Sequence, residues 1–206
     1  QTFINGFYKG ALGGTISHVG LSMSHLVQSQ ENIAYAWPAR FVNAMGSSIV
    51  QNAAENNRML ERLHFNLYVA RLEYLPYQKK INARLFTSSL YGIAAVGNGS
   101  RFDLGKSLKS GILYFESDGV FNIAGGSGIG TGQVSSIGMQ SDLEGERFYR
   151  IYAEEVAHIQ QYDRKVAGNA FVAKMDTRWK AKSKFYNTLS KYIYLDLNGP
   201  VFFFAY

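Results

Sequence analysis

The sequence predicts an α+β fold in which an antiparallel sheet, flat or strongly curved, packs against two main amphipathic helices. Three observations support this prediction. Apolar residues recur at helical spacing over residues 38–60 and again over 145–167, and between these segments apolar and polar residues alternate as they do in strands. The 206 residues are enough for one domain with a sizeable core, so we expect a single domain over 1–206.

The N-terminal segment 3–27 is rich in glycine and precedes the first predicted helix. Its run Gly10-Ala11-Leu12-Gly13-Gly14 suits either a helix in close contact with a neighbour or a weakened strand. Trp37-Pro38 fits a helix start, because proline is favoured at the first helical position. Gly46 within this helix would allow a second element to approach closely.

The segment 63–123 predicts strands. Leu63, Phe65 and Leu67 alternate with polar residues, which indicates a strand with one apolar face. A second strand is predicted around residues 81–96, after a turn at 77–80. Residues 112–115 and 120–123 predict a hairpin, because Asp118-Gly119 between them is a strong turn signal.

Residues 124–142 form a glycine-rich loop that is either mobile or an ordered cradle. Its glycines do not match a dinucleotide-binding or P-loop fingerprint. Because the loop leads directly into the helix predicted over 145–167, it is placed to cover a site on that helix. Gly168-Asn169 predicts the end of the helix.

The most informative stretch lies on this second helix, in the order Glu154, Glu155, Val156, Ala157 and His158. A zinc-peptidase helix carries two histidines four residues apart, so that both imidazoles bind one metal, and a glutamate after the first histidine serves as general base. Here Glu154 occupies the place of the first histidine. The helical pattern predicts that Glu155 and His158 face the core.

The helix resembles the zincin motif and, more loosely, the A-H-E-x-x-H helix of small uncharacterised cell-envelope proteins of Bacteroidota. The resemblance extends over the helix around residues 46–53, the following strands and the glycine-rich loop. It implies that His158 is a metal ligand and Glu155 the catalytic general base, with Glu154 in the other ligand position. The site would then be a degenerate metallopeptidase site. A third zinc ligand would have to come from His18, His25 or His64.

The charge distribution points to a surface that meets anionic or protein partners. Residues 147–191 contain ten Lys or Arg and four Asp or Glu, which accounts for the whole net charge of +6. No helix-turn-helix, RRM or zinc-finger pattern accompanies these charges, so no nucleic-acid partner is expected. Basic residues alternate with aromatic ones in the basic-aromatic C-terminal segment 173–206, and the alternative interpretation is an ordinary solvated helix face. The predicted membrane or partner surface comprises Lys174, Arg178, Trp179, Lys180, Lys182, Lys184, Phe185 and Tyr206.

These observations lead to one preferred function and two alternatives. The absence of cysteine excludes disulfides and thiolate chemistry, and the start at Gln1 suggests a processed, exported chain in the periplasm or outer membrane. The preferred interpretation is a non-enzymatic accessory protein of the cell envelope, without cofactor, that docks on an outer-membrane protein complex and contacts the membrane surface. The alternatives are a zinc-dependent hydrolase with a Glu-Glu-x-x-His site and a small outer-membrane β-barrel.

Overall fold

A computed structural model describes residues 3–123, 126–166 and 169–196. The predicted α+β class is confirmed. The aromatic C-terminus at 201–206, the loop start at 124–125 and the predicted helix stop at Gly168 lie outside the described residues. The α-helices are α1 (Phe3–Ser22), α2 (His25–Ser29), α3 (Ala36–Ala54), α4 (Thr87–Gly97), α5 (Leu104–Ser110), α6 (Gly145–Val166), α7 (Asn169–Lys182) and α8 (Lys184–Tyr192).

The strands form two mixed sheets and a short ribbon. The strands are β1 (Leu63–Leu67), β2 (Ala70–Leu75), β3 (Lys80–Phe86), β4 (Arg101–Asp103), β5 (Leu113–Ser117), β6 (Phe121–Ile123), β7 (Gly126–Gly128), β8 (Gly130–Gln133), β9 (Ser136–Gln140) and β10 (Ile193–Tyr194). Sheet A has the order β1-β2-β3-β10 and sheet B the order β4-β5-β9-β8, while β6 and β7 pair with each other. Each four-stranded sheet contains one parallel pair, so the prediction of one antiparallel sheet is corrected to two mixed sheets without strong curvature.

Both predicted main helices are present. The first, predicted over 38–60, is α3, which ends six residues earlier at Ala54. The second, predicted over 145–167, is α6. Asn56 follows α3 with a positive φ of 62°, a backbone conformation that asparagine tolerates better than most residues, and the chain turns there toward β1.

The glycine-rich N-terminal segment is the helix α1, which lies directly on α3. A Cβ atom at Gly20 would lie 2.2 Å from the amide nitrogen of Asn43, and one at Gly46 would lie 2.2 Å from that of Ser17. The two backbones therefore meet where neither helix has a side chain. Ser17 also donates to Asn43 Oδ1 at 2.6 Å, which joins the helices at their closest approach.

Three local predictions are wrong. The strand predicted over 81–96 ends at Phe86, and the rest of it is the helix α4, because a short apolar run of this kind suits either structure. The hairpin of 112–115 with 120–123 does not form, since β5 pairs with β4 and β9, whereas β6 pairs with β7. The described part of the glycine-rich segment contains β7, β8 and β9, so it is largely strand.

The main apolar core lies between sheet B and the inner side of α6. The core residues of α6 are Ile151, Tyr152, Ala153, Val156 and Ile159. They pack against Ile112 beside β5, Tyr114 on β5, Ile137 and Met139 on β9, and residues of α2 and the start of α3. The apolar periodicity of α6 therefore predicted its packing side correctly, except at His158, which is exposed.

Candidate functional site

The zincin-like residues lie on two different sides of α6. Glu154 and His158 are exposed, one helical turn apart, whereas Glu155 is half-buried. The prediction that His158 faces the core is therefore wrong. Val156 and Ile159 lie on the core side of α6, whereas His158 lies on the side of the helix that faces solvent.

Glu155 lies beneath the glycine strand β8. A Cβ atom at Gly132 would lie 2.4 Å from the backbone oxygen of Glu155, so only glycine permits this contact. Burial raises the pKa of Glu155, and the Glu154 charge adds to the rise, while the His158 charge and the Gly132 N–H oppose it. The glycine-rich segment therefore covers Glu155, and leaves Glu154 and His158 open.

The remaining histidines do not complete a zinc site with Glu154 and His158. Within 3–123, 126–166 and 169–196, no group of three or more His, Cys, Asp or Glu is arranged to hold a metal ion. His18 and His25 are exposed on α1 and α2, and His64 is buried. Zinc sites in proteins use three or four protein ligands, so the two described candidates do not fit that requirement.

His64 belongs instead to a polar contact between β1 and α3. Its imidazole lies 3.1 Å from Ser48 Oγ and 3.4 Å from Ser47 Oγ. Burial lowers the pKa of His64 well below its ordinary value, and the Arg71 and Arg62 charges lower it further. The ring is therefore neutral at neutral pH and shares hydrogen bonds with the two serines.

The predicted basic and aromatic residues lie on α7 and α8. The exposed ones are Lys174, Arg178, Trp179, Lys182, Lys184 and Phe185, the last of which is 78% exposed. Lys180 is half-buried and binds Asp176 Oδ2 at 2.5 Å, and Asp176 also accepts from Tyr186. Tyr206 lies outside the described residues. The structure therefore brings the described members of this set together on one pair of helices.

Behind sheet A lies a network of buried charges that the sequence prediction missed. Arg71 on β2 is fully buried, and its guanidinium donates to Glu73 Oε1 at 3.1 Å, Gln51 Oε1 at 3.2 Å and Asn66 Oδ1 at 3.3 Å. It also lies over the ring of Tyr194, 4.2 Å from the centroid. The charge and all three nitrogens of Arg71 are thus satisfied inside the protein.

The network continues from β1 to α3 and α6. Arg40 on α3 donates to the carbonyl oxygens of Gly111 and Asn66, each at 2.6 Å. Asn66 in turn donates to Asp163 Oδ1 at 2.7 Å. Burial raises the pKa of Asp163, against the charges of Arg40 and Arg71 and the hydrogen bond from Asn66. These contacts fix sheet A on the two main helices through polar groups.

The strands of sheet A consequently turn their apolar residues outward. Strand neighbours alternate between faces, and the buried positions of β1 and β2 are His64, Asn66, Arg71 and Glu73. The opposite face carries only uncharged residues. We call it the apolar sheet face, and it comprises Leu63, Phe65, Leu67, Ala70, Leu72, Tyr74, Ile81, Ala83 and Leu85.

The apolar sheet face is exposed at Tyr74, Ile81, Ala83 and Leu85 and half-buried at its other positions, and it extends onto α3. Ile81 is 70% exposed and Tyr74 43% exposed, and the two residues are paired across β2 and β3. On α3, Trp37 stacks on Phe65 with ring centroids 6.1 Å apart, and Phe41 lies beside the same ring. A contiguous exposed apolar surface of this kind marks an interaction site in a folded protein.

The sequence contained a partial signal for this face. The alternation of β1 showed that one face is apolar, but it did not show which face is buried. Arg71, Glu73 and Arg84 lie at alternate positions of β2 and β3, and charged residues at such positions ordinarily face solvent. Only their mutual pairing in the folded protein allows the opposite orientation.

No protein-family model, curated protein or solved structure matches this chain. Over the described residues, every helix is too short or too polar to cross a lipid bilayer. The fold and the site together define an α+β protein with an exposed apolar sheet face.

Proposed function

We propose that this protein is a non-enzymatic accessory protein of the cell envelope that docks on an outer-membrane protein assembly. The observation that carries the proposal is the apolar sheet face, which is exposed while the charged face of the same sheet is buried. Covering such a face removes apolar surface from water at about 25 cal/mol per Å². A protein partner with a complementary apolar patch is the occupant that this surface suits.

The composition of the face favours a protein partner. Aromatic side chains are enriched at the centres of protein interfaces, and Trp37, Phe41 and Phe65 form such a group at one side of the face. Charged residues are depleted from interface centres, and no charged residue occupies the outward positions of β1, β2 and β3. The face is therefore similar in chemistry to the centre of a stable interface.

We propose in addition that the protein contacts an anionic membrane surface, and the helices α7 and α8 support this. Lys174, Arg178, Lys182 and Lys184 are exposed there together with Trp179. Lysine and arginine near an anionic surface each contribute about 1 kcal/mol of attraction, and tryptophan favours the interface between lipid and water. The envelope location itself rests on the resemblance of α6 and its neighbours to envelope proteins.

Site-specific photo-crosslinking tests the docking surface. A photoreactive phenylalanine derivative at Ile81, expressed in the organism that encodes the protein, is expected to give one discrete crosslinked product in the envelope fraction. The same derivative at Val120, which is 52% exposed and lies in the connection between β5 and β6, is the matched control and is expected to give none. Ile81→Glu is expected to release the protein from the envelope fraction.

Two outcomes would contradict the proposal. In the first, the protein is recovered in the soluble fraction and the derivative at Ile81 gives no crosslinked product. The second is a product whose mass is twice the 23.0 kDa of the chain, because that result assigns the face to a second copy of this protein. Ile81 is exposed, so the substitution itself is expected to change the free energy of unfolding by about 0.5 kcal/mol or less.

A further inference from the structure

A basic cleft opens on the charged side of sheet A, opposite to the apolar sheet face. It has a volume of about 620 Å³ and lies between the strand β3 and the helix α8. Its cationic lining residues are Arg62, Lys80, Arg84 and Lys191. We propose that this cleft binds a phosphate group, carried either by a small soluble molecule or by a lipid headgroup.

The charge balance of the cleft favours an anion. Four cationic side chains line it, against the two carboxylates of Glu61 and Glu73. Glu73 is already neutralised, because its Oε1 atom accepts from both Arg71 and Arg84. Although burial opposes its ionisation, the charges of Arg71 and Arg84 hold the pKa of Glu73 below its ordinary value. The cleft therefore keeps an excess of positive charge.

Hydrogen-bond donors in the cleft remain available for a ligand. The side chains of Lys80 and Lys191 are exposed and make no hydrogen bond or ion pair within the described part of the chain. The amide of Asn82 lines the same wall. Phosphate oxygens accept several such donors at once.

The two arginines of the cleft are held in place before any ligand binds. Arg84 donates to Glu73 Oε1 at 2.5 Å and to the carbonyl of Ser190 at 3.3 Å, which ties β3 to α8. Arg62 is paired with Glu55 at the end of α3. Because these side chains are already ordered, binding does not require them to lose conformational freedom.

The lining also indicates which part of a ligand is recognised. None of the described residues that line the cleft is aromatic, so a nucleobase would find no stacking partner there. Leu75 is the apolar member of the lining, and the other members are charged or amide side chains. The recognised group is therefore the phosphate itself, and single-stranded nucleic acid does not fit this site.

Isothermal titration calorimetry with inorganic phosphate and with glycerol 3-phosphate tests the site. The purified protein is expected to bind both with a saturable isotherm. Lys80→Gln and Lys191→Gln are each expected to weaken binding about tenfold, since each removes one charge-assisted contact. Both lysines are exposed, so these variants are expected to fold, and their melting temperatures verify that they do.

The matched control is the double variant Lys109→Gln/Arg150→Gln, which removes the same net charge from two exposed sites that do not line the cleft. It is expected to leave the affinity within about twofold, since charges beyond a Debye length of roughly 8 Å are screened. No saturable binding, or an equal loss of affinity in the control and in Lys80→Gln/Lys191→Gln, would overturn the proposal.

Vesicle sedimentation distinguishes the two sources of the phosphate. One arm uses phosphatidylcholine vesicles containing phosphatidic acid, and the other uses phosphatidylcholine alone. The site is assigned to a lipid headgroup if the protein binds the vesicles with phosphatidic acid, if glycerol 3-phosphate displaces it, and if the double variant Lys80→Gln/Lys191→Gln no longer binds them. Calorimetric binding without vesicle binding assigns it to a soluble phosphate. The cleft and the apolar sheet face are on opposite sides of sheet A, so a failure of docking leaves this test intact. Displacement by glycerol 3-phosphate separates binding in the cleft from vesicle contact made elsewhere on α7 and α8.

Discussion

The side-chain amide of Asn66 on β1 donates to the carboxylate of Asp163 on α6 across 2.7 Å, and both side chains are buried. This hydrogen bond joins residues 97 positions apart in the sequence. Asp163 also lies near the positive charge of Arg40, whose guanidinium binds the carbonyl of Asn66. A strand and two helices are thus held together by one buried polar cluster.

Removal of the Asp163 carboxylate should destabilise the protein. Asp163→Ala leaves Asn66 Nδ2 without its acceptor and removes a negative charge near Arg40, so we expect a loss of about 3 kcal/mol. Asp163→Asn keeps an acceptor oxygen for Asn66, and we expect a loss of about 1 kcal/mol. Urea unfolding followed by circular dichroism measures both values, and equal losses for the two variants would contradict the role of this hydrogen bond.

Asp163 should also make the stability depend on pH. Burial raises its pKa in the folded state above the ordinary value of 3.8, so the folded state binds more protons than the unfolded state between these two values. The Asp163 contribution to the free energy of unfolding is therefore fully present below pH 3.8 and is lost as the pH rises through the folded-state pKa. Other carboxylates titrate in the same range, so the comparison with Asp163→Asn isolates this effect. The variant is expected to lose less stability than the natural protein as the pH rises, and parallel curves would contradict the raised pKa.

The contact of α1 with α3 should not tolerate a methyl group. Gly46→Ala would place a Cβ atom 2.2 Å from Ser17 N, so the helices must separate, and we expect a loss of about 3 kcal/mol. Gly14→Ala on α1 is the matched control, because nothing lies within 4 Å of its Cβ position. It should increase stability by up to about 1 kcal/mol through helix propensity. Thermal unfolding of the two variants measures the difference, and a similar melting temperature for both would contradict the close approach.

The zinc-hydrolase alternative stays a prediction, and metal removal tests it. Because Glu154 and His158 are exposed and no third ligand completes their group among the described residues, we expect EDTA to leave the melting temperature unchanged. His158→Ala is expected to change the free energy of unfolding by about 0.5 kcal/mol or less. Two results together would instead support the hydrolase. They are stoichiometric zinc in the native protein that is lost in His158→Ala, and a melting temperature of the native protein that EDTA lowers.

Local sequence patterns were sufficient for the main helices and for the class of the fold. The apolar periodicity of α6 agrees with the burial of Ile151, Tyr152 and Ile159, and Gly46 predicted that a neighbour could approach α3 closely. The glycines of α1 were compatible with either a helix or a strand. Patterns were insufficient over 87–97, where a short apolar run with two serines and two glycines is compatible with either helix or strand. The pairing of β5 with β9 was also beyond prediction, because a parallel pair needs a long connection that no turn motif signals.

The sequence by itself determined that β1 has one apolar and one polar face, since alternation follows from the geometry of a strand. Only the tertiary structure decided that the polar face is inside. Arg71 can be buried because Glu73, Gln51 and Asn66 converge on it, and these partners come from β1, β2 and α3. A buried charge is tolerated only when distant residues satisfy it, and that condition exists in the folded protein alone. The same condition exposes the apolar sheet face.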